Sequence, residues 1–330
     1  MPGTGSNRRK VCLVNAYFGQ LPPWFSIWVR TCGANTSFDW LLVTDTPSNQ
    51  LPCLPPNIKA IHLAFSELKA LISDRLKMDV CLPSPYKLCD FKIAYGVIFA
   101  DWLDGYDFWG FCDLDVVWGN LETFFPDEIF SSYDKIQEAG HLTFCRNVER
   151  VNTLYMQRAP HMDYRRVYTT PEPYAFDEWR GAHELTYLRG LSRIWVKRHY
   201  DADPLSYRFT DSRAGHHKRQ LFYWEDGHLY REFVGREAHA SASYEYPAIS
   251  RDEWSYIHLQ KRALPAPTFD ASTVRGFYIT PLGFVQKLKD EHCLADFIRL
   301  SPRSTTYKAV PRLKRFARRT MLRVSDLLNG

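Results

Sequence analysis

The spacing of apolar positions divides the first part of the chain into alternating strands and helices. Apolar runs predict strands in "KVCLVNAYFG", "FDWLLVTDT" and "NIKAIHLAF". Between and after them, helical spacing is found in "PPWFSIWVRTCGAN" and in "SELKALISDRLKM", for which Ser66 is the predicted N-cap. This alternation is typical of parallel βαβ units.

A further helical segment, "FKIAYGVIFADWL", precedes "YDFWGFCDLDVVWG", which predicts two apolar strands separated by an acidic pair. In parallel sheets, ligands bind at the carboxyl ends of the strands. We expect Tyr17, Asp45 and Asp113 at those ends.

After about residue 120 the pattern is less regular. "ELTYLRGLSRIWVKRH" predicts a helix, Asp226-Gly227 predicts a hairpin turn, and "EWSYIHLQKR" predicts a strand that ends in basic residues. The fold class is therefore α/β with a mixed central sheet.

Composition narrows the function classes. The net charge is +5, but seven basic residues between Lys308 and Arg323 account for it, and removing them leaves about −2. A near-neutral body argues against a nucleic-acid-binding surface. The aromatic content of 15% fits either an aromatic core or a site for flat or ring-shaped ligands.

The eight cysteines show no metal-finger spacing, and we interpret them as reduced, buried residues of a cytoplasmic protein. No apolar run approaches the roughly 18 residues that span a bilayer, and the polar start "MPGTGSNRRK" does not resemble a signal peptide.

Asp113 and Asp115 are the strongest candidates for chemistry. In an extended backbone, side chains two residues apart point to the same side, so the two carboxylates repel unless a cation lies between them. Mn²⁺ or Mg²⁺ prefers such oxygen ligands and completes its shell with substrate phosphates. The alternative is an exposed turn with two solvated acids.

These features resemble the GT-A fold of nucleotide-sugar-dependent glycosyltransferases. The resemblance is closest to a bacterial family of predicted polysaccharide glycosyltransferases and covers about residues 11–262. It rests on "YFGQLPPWFSIWVRTCGANTSFDWLLVTD", "PYKLCDFKIAYGVIFADWLDGYDFWGFCDLDVVWGNL", "FDEW" and "YIHLQKR". Ile93 stands where the family has proline, which should alter backbone stiffness more than chemistry.

The resemblance implies a donor site at the first strand and its loop. Tyr17, Phe18 and Gly19 would receive the base and ribose, and Asp45 would accept a hydrogen bond from them. An ordinary strand-end turn is the alternative for this loop.

On the segment before the acidic pair, the resemblance places Lys87, Asp90 and Lys92 against the nucleotide and donor sugar. The alternative for these three residues is a charged helix start.

Two further motifs acquire roles from the resemblance. Asp177 or Glu178 in "FDEWRG" would deprotonate the acceptor hydroxyl, unless both are acids of a helix N-terminus. His258 would complete the metal shell, and Lys261 and Arg262 would offset the charge of the leaving diphosphate. The rival histidine run at 215–219 is interpreted as an exposed basic loop.

The last segment combines basic residues with an apolar helical stripe, which is typical of helices at anionic membrane surfaces. A helix packed on the body is the alternative. The stripe comprises Leu313, Phe316, Ala317, Met321, Val324 and Leu328.

These observations predict a disordered start at 1–10, one GT-A-like domain over 11–300 and a basic tail over 301–330. The domain would consist of a nucleotide-binding half (11–120) and an acceptor half (121–300). The expected activity is transfer of a sugar, most plausibly from a UDP-sugar, to a surface polysaccharide such as capsule or O-antigen. The acceptor would be a glycan or a lipid-linked glycan at the inner face of the cytoplasmic membrane.

An inactive nucleotide- or glycan-binding protein, or a scaffold in an assembly complex, is the alternative from another class. A metal-dependent phosphoesterase would need more clustered His and Asp ligands than the sequence shows.

Overall fold

A computed structural model describes residues 9–204, 206–211, 213–214, 217, 219–234, 249–260, 262–288 and 294–301. The basic tail, Lys261 and most of the 215–219 run lie outside the described residues. So does most of the start expected to be disordered.

A seven-stranded mixed sheet forms the centre of the structure, in the order β3-β2-β1-β4-β7-β6-β8. Strands β1 to β4 are mutually parallel, and β7 runs antiparallel to β4. The α/β class with a mixed central sheet is thus confirmed, and the reversal at β7 agrees with a GT-A-like arrangement. The strands are β1 Val11–Tyr17, β2 Asp39–Thr44, β3 Ile58–His62, β4 Phe108–Cys112, β6 Lys135–Ala139, β7 Leu142–Arg146 and β8 Arg193–Ile194.

Two smaller sheets pack beside the central one. One has five strands in the order β12-β11-β10-β14-β15, and the other has three in the order β5-β13-β9. Their strands are β5 Val116–Trp118, β9 His199–Asp201, β10 Gln220–Glu225, β11 His228–Val234, β12 Ile249–Trp254, β13 Tyr256–His258, β14 Gly276–Thr280 and β15 Gly283–Gln286.

The helices are short and surround the sheets. They are α1 Phe25–Gly33, α2 Phe65–Leu76, α3 Tyr95–Ile98, α4 Leu121–Phe124, α5 Asp127–Ser132, α6 Glu149–Asn152, α7 Tyr164–Thr169, α8 Glu184–Leu188 and α9 Leu294–Leu300. Tighter 3₁₀ turns cover Ser48–Gln50, Pro85–Ala94, Ala100–Trp102 and Leu154–Met156, and a π-helical turn covers Trp179–His183.

Two local predictions are wrong. α2 begins at Phe65, so Ser66 lies inside it, and the Glu67 carboxylate accepts the Ala64 N–H at 2.6 Å instead. The helix predicted from residue 184 ends at Leu188, because Gly190 has φ 65° and breaks the helix. The rest of that segment supplies β8 and the first residue of β9.

The hairpin prediction is confirmed. β10 and β11 pair from Glu225 opposite His228, and Asp226 and Gly227 have φ values of 47° and 94°. Two consecutive positive φ angles give a turn whose twist matches that of the strands.

Many of the aromatic residues lie in the core, which includes fully buried Trp28, Trp40, Trp109, Trp118 and Trp224. The described cysteines are free thiols, but three of them are not buried: Cys53 is exposed, and Cys81 and Cys89 are half-buried. Among the described residues, no helix has the length and apolar character needed to cross a bilayer.

Candidate functional site

Strand pairing brings Asp115 and His258 together. The acidic pair lies between β4 and β5, and β5 pairs antiparallel with β13 so that His258 is opposite Val116. The Leu259 N–H donates to the Asp115 carbonyl at 2.7 Å. As a result, Nε2 of His258 is 3.3 Å from Oδ1 of Asp115.

Asp113, Asp115 and His258 form a group that could hold a metal ion. One ligand atom from each lies within 4.8 Å of the others. Two carboxylates and one imidazole suit Mn²⁺, and oxygen-rich sites with open positions also accept Mg²⁺. The three residues expected to bind a metal therefore lie in one cluster.

The field of this cluster favours positive charge. Burial opposes protonation of His258, but the Asp115 carboxylate and the hydrogen bonds to Asp115 and Asp201 outweigh it and raise the pKa of His258 to about 10. A cation placed among the same carboxylates would be stabilised by the same field.

Lys92 connects Asp113 to Asp177, one of the two acids expected on the acceptor side. Its Nζ lies 2.7 Å from Oδ1 of Asp113 and 3.0 Å from Oδ2 of Asp177, and it donates to the Gly140 carbonyl at 2.8 Å. Burial acts to lower the pKa of Lys92, but Asp113 and Asp177 outweigh it and hold the pKa well above its usual value. The ammonium is therefore a fixed positive charge between the two acids.

Asp177 and Glu178 have different surroundings. Asp177 is buried, and burial raises its pKa to about 6 even though Lys92 acts in the opposite direction. Glu178 is exposed. A Cβ at position 140 would lie 2.8 Å from Asp177 Oδ2 and 3.5 Å from Glu178 Cγ, so glycine at this position gives both acids room.

Lys87 and Asp90 lie in the interior with protein partners. Their side chains are 1% and 0% exposed and pair at 2.7 Å. Lys87 also donates to the Val167 and Glu172 carbonyls, and Asp90 accepts the backbone N–H groups of Tyr174 and Phe176. The Lys87–Asp90 pair thus holds in place the backbone from Glu172 to Phe176, which leads directly to Asp177.

At the end of β1, the loop residues divide between surface and core. Tyr17 is half-buried, and burial together with the Asp115 carboxylate raises its pKa, while its hydroxyl donates to the Gln20 carbonyl at 3.1 Å. Gly19 has φ 96°, and its N–H donates to Asp45 Oδ1 at 2.9 Å. Phe18 is buried, and its ring packs edge-on against Phe65 at 5.4 Å.

Arg262 holds a neighbouring loop. Its guanidinium donates to the carbonyls of Asp203, Ser206 and Tyr207 and lies over the Phe209 ring. These partners are backbone atoms of the chain itself. Lys261, expected beside it on the diphosphate, lies outside the described residues.

The sequence interpretation missed Asp201 and His141. Asp201 Oδ1 is 2.8 Å from Nδ1 of His258, and the buried ring of His141 stacks on His258 with centroids 4.3 Å apart. Burial and the neighbouring His258 hold the pKa of His141 well below its usual value. The available signal for Asp201 was a second Asp-x-Asp run, Asp201-Ala202-Asp203.

Comparison with known proteins gives a family but no activity. No curated protein matches the chain. A solved galactosyltransferase, LgtC, in complex with donor and acceptor sugar analogues, is similar at a TM-score of 0.36 and 8% identity. The match covers 58% of this chain and 75% of that one. At this score and identity the likeness carries no information on activity. A family model matches residues 13–288, and the chain belongs to that family, which is described as a family of unknown function (DUF6625).

Proposed function

We propose that the protein is a metal-dependent glycosyltransferase that moves a sugar from a nucleotide-sugar, namely a UDP-sugar, to a surface-polysaccharide acceptor. The observation that carries this proposal is the group formed by Asp113, Asp115 and His258, whose ligand atoms lie within 4.8 Å of one another. A divalent cation in that group would bind the diphosphate and stabilise its charge as the glycosidic bond breaks.

The loop after β1 is the proposed place for the nucleoside. Tyr17 offers an aromatic face for the base, and exposed Gly19 allows close approach of the ligand to the backbone. Asp45 fixes this loop through the Gly19 N–H. We assign Phe18 a packing role beneath the loop.

Lys92 is the proposed cation on the donor side. Its ammonium contacts Asp113 and Asp177 and lies over the Phe111 ring at 5.7 Å. A lysine held in this way stabilises negative charge on the leaving group without having to reorganise during the reaction. Arg262, whose two terminal nitrogens donate to carbonyls, acts by holding Asp203, Ser206 and Tyr207. Lys261 remains the proposed diphosphate contact.

Glu178 is the proposed general base for an inverting reaction, in which a carboxylate removes the proton of the acceptor hydroxyl. Its exposure allows contact with an acceptor, whereas Asp177 is buried against Lys92. We therefore assign Asp177 to positioning Lys92. Lys87 and Asp90 position the backbone from Glu172 to Phe176 that precedes both acids.

The proposed location is the inner face of the cytoplasmic membrane, where the basic tail would meet anionic lipids and bring the enzyme to lipid-linked acceptors. This part of the proposal rests on the sequence of the tail.

A panel of nucleotide-sugars incubated with the full chain, with and without Mn²⁺, tests the proposal. We expect Mn²⁺-dependent release of the nucleoside diphosphate from one member of the panel, and loss of this release in Asp115→Ala. Mn²⁺-dependent binding of a nucleotide without any hydrolysis or transfer would favour the alternative, an inactive nucleotide- or glycan-binding protein.

A further inference from the structure

Asp201 reaches the metal group through strand pairing. β9 and β13 are parallel neighbours, and their register places Asp201 opposite His258. Nδ1 of His258 lies 2.8 Å from Oδ1 of Asp201, and the Gln260 amide donates to the same oxygen at 2.6 Å. The acid that contacts His258 from this side thus comes from a strand remote in sequence from Asp113 and Asp115.

The two nitrogens of His258 face different partners. Nδ1 faces Asp201, and Nε2 lies 3.3 Å from Asp115, on the side of the metal group. A neutral imidazole carries its proton on one nitrogen and a lone pair on the other. A carboxylate at Nδ1 keeps the proton there, so that the lone pair of Nε2 is available to a cation.

The surroundings keep Asp201 and the imidazole in this arrangement. The Asp201 N–H donates to Asp211 Oδ2 at 2.8 Å, and the Ala202 N–H donates to the His258 carbonyl at 2.9 Å. His141 stacks on the His258 ring with 28° between the planes. The ring therefore has one face covered and one nitrogen bonded.

We propose that Asp201 is a positioning residue of the metal site, which accepts the Nδ1–H of His258 and so directs Nε2 toward a divalent cation held by Asp113 and Asp115. This inference rests on the proposed function, because it requires a cation in that group. Carboxylates that orient ligating histidines typically change metal affinity by about 10- to 100-fold when they are removed.

A second cation is the competing explanation for Asp201. His141, Asp201 and His258 also offer ligand atoms within 4.8 Å of one another. However, the short contact between Asp201 and Nδ1 uses the atoms that such a cation would need. The near-parallel stack also keeps the in-plane lone pairs of the two imidazoles in nearly parallel planes, which is unfavourable for two ligands that must point at one ion. We therefore favour a single cation.

The test measures Mn²⁺ binding to the full chain by electron paramagnetic resonance, which detects the free ion. A pulsed measurement on the bound ion then detects the histidine nitrogen that is coupled to it. For Asp201→Ala we expect about 10- to 100-fold weaker binding and a weakened nitrogen signal. For Asp201→Asn we expect a smaller loss, because the amide oxygen still accepts Nδ1–H. The conservative variant also provides a folded comparison if the alanine variant does not fold.

Glu253→Ala is the matched control. Glu253 makes the same kind of contact, with Oε1 2.7 Å from Nδ1 of His228, on the five-stranded sheet. Its removal should leave Mn²⁺ affinity unchanged.

Three results would overturn the inference, and they are distinguishable. If His258→Ala weakens Mn²⁺ binding but both Asp201 variants bind it as the parent does, the metal site stands and the role of Asp201 is wrong. If the parent binds two Mn²⁺ and the Asp201 variants bind one, Asp201 is a ligand of a second cation. If alanine at 113, 115 and 258 leaves Mn²⁺ binding unchanged, the proposed metal site itself fails.

Discussion

His258 and Asp115 lie on paired strands with Nε2 of the histidine 3.3 Å from Oδ1 of the aspartate. Two segments 143 positions apart in the sequence numbering thus bring one imidazole and one carboxylate to the same proposed cation site. We expect Asp115→Ala to abolish most Mn²⁺-dependent UDP binding and leave the fold intact, since the side chain lies at the edge of the strand. Isothermal titration with UDP, with and without Mn²⁺, measures this effect.

His258→Ala should act in the same direction but more weakly, because water can fill one coordination position. Unchanged UDP–Mn²⁺ affinity in both variants would show that Asp115 and His258 do not bind the metal. Glu253→Ala, on β12, controls for the loss of a carboxylate that pairs with a histidine elsewhere.

The acceptor-side acids should separate in kinetics. Removal of a general base lowers turnover by about 10²- to 10⁴-fold while donor binding survives. For Glu178→Gln we therefore expect a lower kcat and an unchanged KM for the donor, both measured by steady-state kinetics. Asp177→Asn should instead alter KM for the donor, because Lys92 loses one of its two carboxylate partners. If Asp177→Asn shows the pure kcat effect and Glu178→Gln does not, the two roles are reversed.

The buried Lys87–Asp90 pair should be important for stability. Removal of one partner of a buried pair costs about 3–5 kcal/mol, because the other charge is left without compensation. We therefore expect Lys87→Met to lower the free energy of unfolding by about that amount in urea denaturation. The matched control is Lys77→Met: Lys77 pairs with Asp74 at the same spacing, but the side chains are 78% and 69% exposed. That change should be within about 1 kcal/mol, and equal effects of the two changes would contradict the assigned role.

Asp177 should make stability depend on pH. Its pKa is raised by burial from 3.8 to about 6, so the folded protein binds a proton more readily than the unfolded chain does. The stability provided by the neutral acid is present at low pH and is lost as the pH rises through about 6. Asn cannot ionise at this position. We therefore expect the free energy of unfolding of Asp177→Asn to rise relative to that of the parent as the pH increases to about 6. Parallel pH profiles for the two proteins would show that the carboxyl group titrates normally.

The basic tail should attach the protein to anionic membranes, with about 1 kcal/mol from each basic residue near the surface. Truncation after Ser304 should abolish sedimentation with anionic vesicles, and salt should weaken binding of the intact chain. Donor hydrolysis should survive, because the proposed metal and nucleotide residues all precede the tail. A truncated chain that sediments with the vesicles as the parent does would exclude the membrane role.

The structural features that could be predicted are those that depend on the local pattern of apolar, polar and turn residues. The βαβ alternation, the hairpin at Asp226-Gly227 and the acidic pair between two apolar strands all follow from periodicity and turn chemistry. What the local pattern could not provide was long-range strand pairing. Asp201 was missed because it lies two residues beyond the segment predicted as a helix, and its position beside His258 comes from the pairing of β9 with β13.

Burial was the other quantity that local pattern could not provide. Lys87, Asp90 and Lys92 occur within six residues of one another as charged positions, yet the structure places the first two in the core and the third between two acids. A sequence shows that a charge is present, but the partner that compensates it comes from elements far along the chain.

A crystal structure of the full chain with UDP and Mn²⁺ would locate both the cation and the nucleotide. We expect an anomalous manganese peak bounded by Asp113, Asp115 and His258, with the β-phosphate on the ion and the uracil beside Tyr17 and Gly19. Manganese or UDP bound at another place on the chain, with these residues uninvolved, would contradict this expectation.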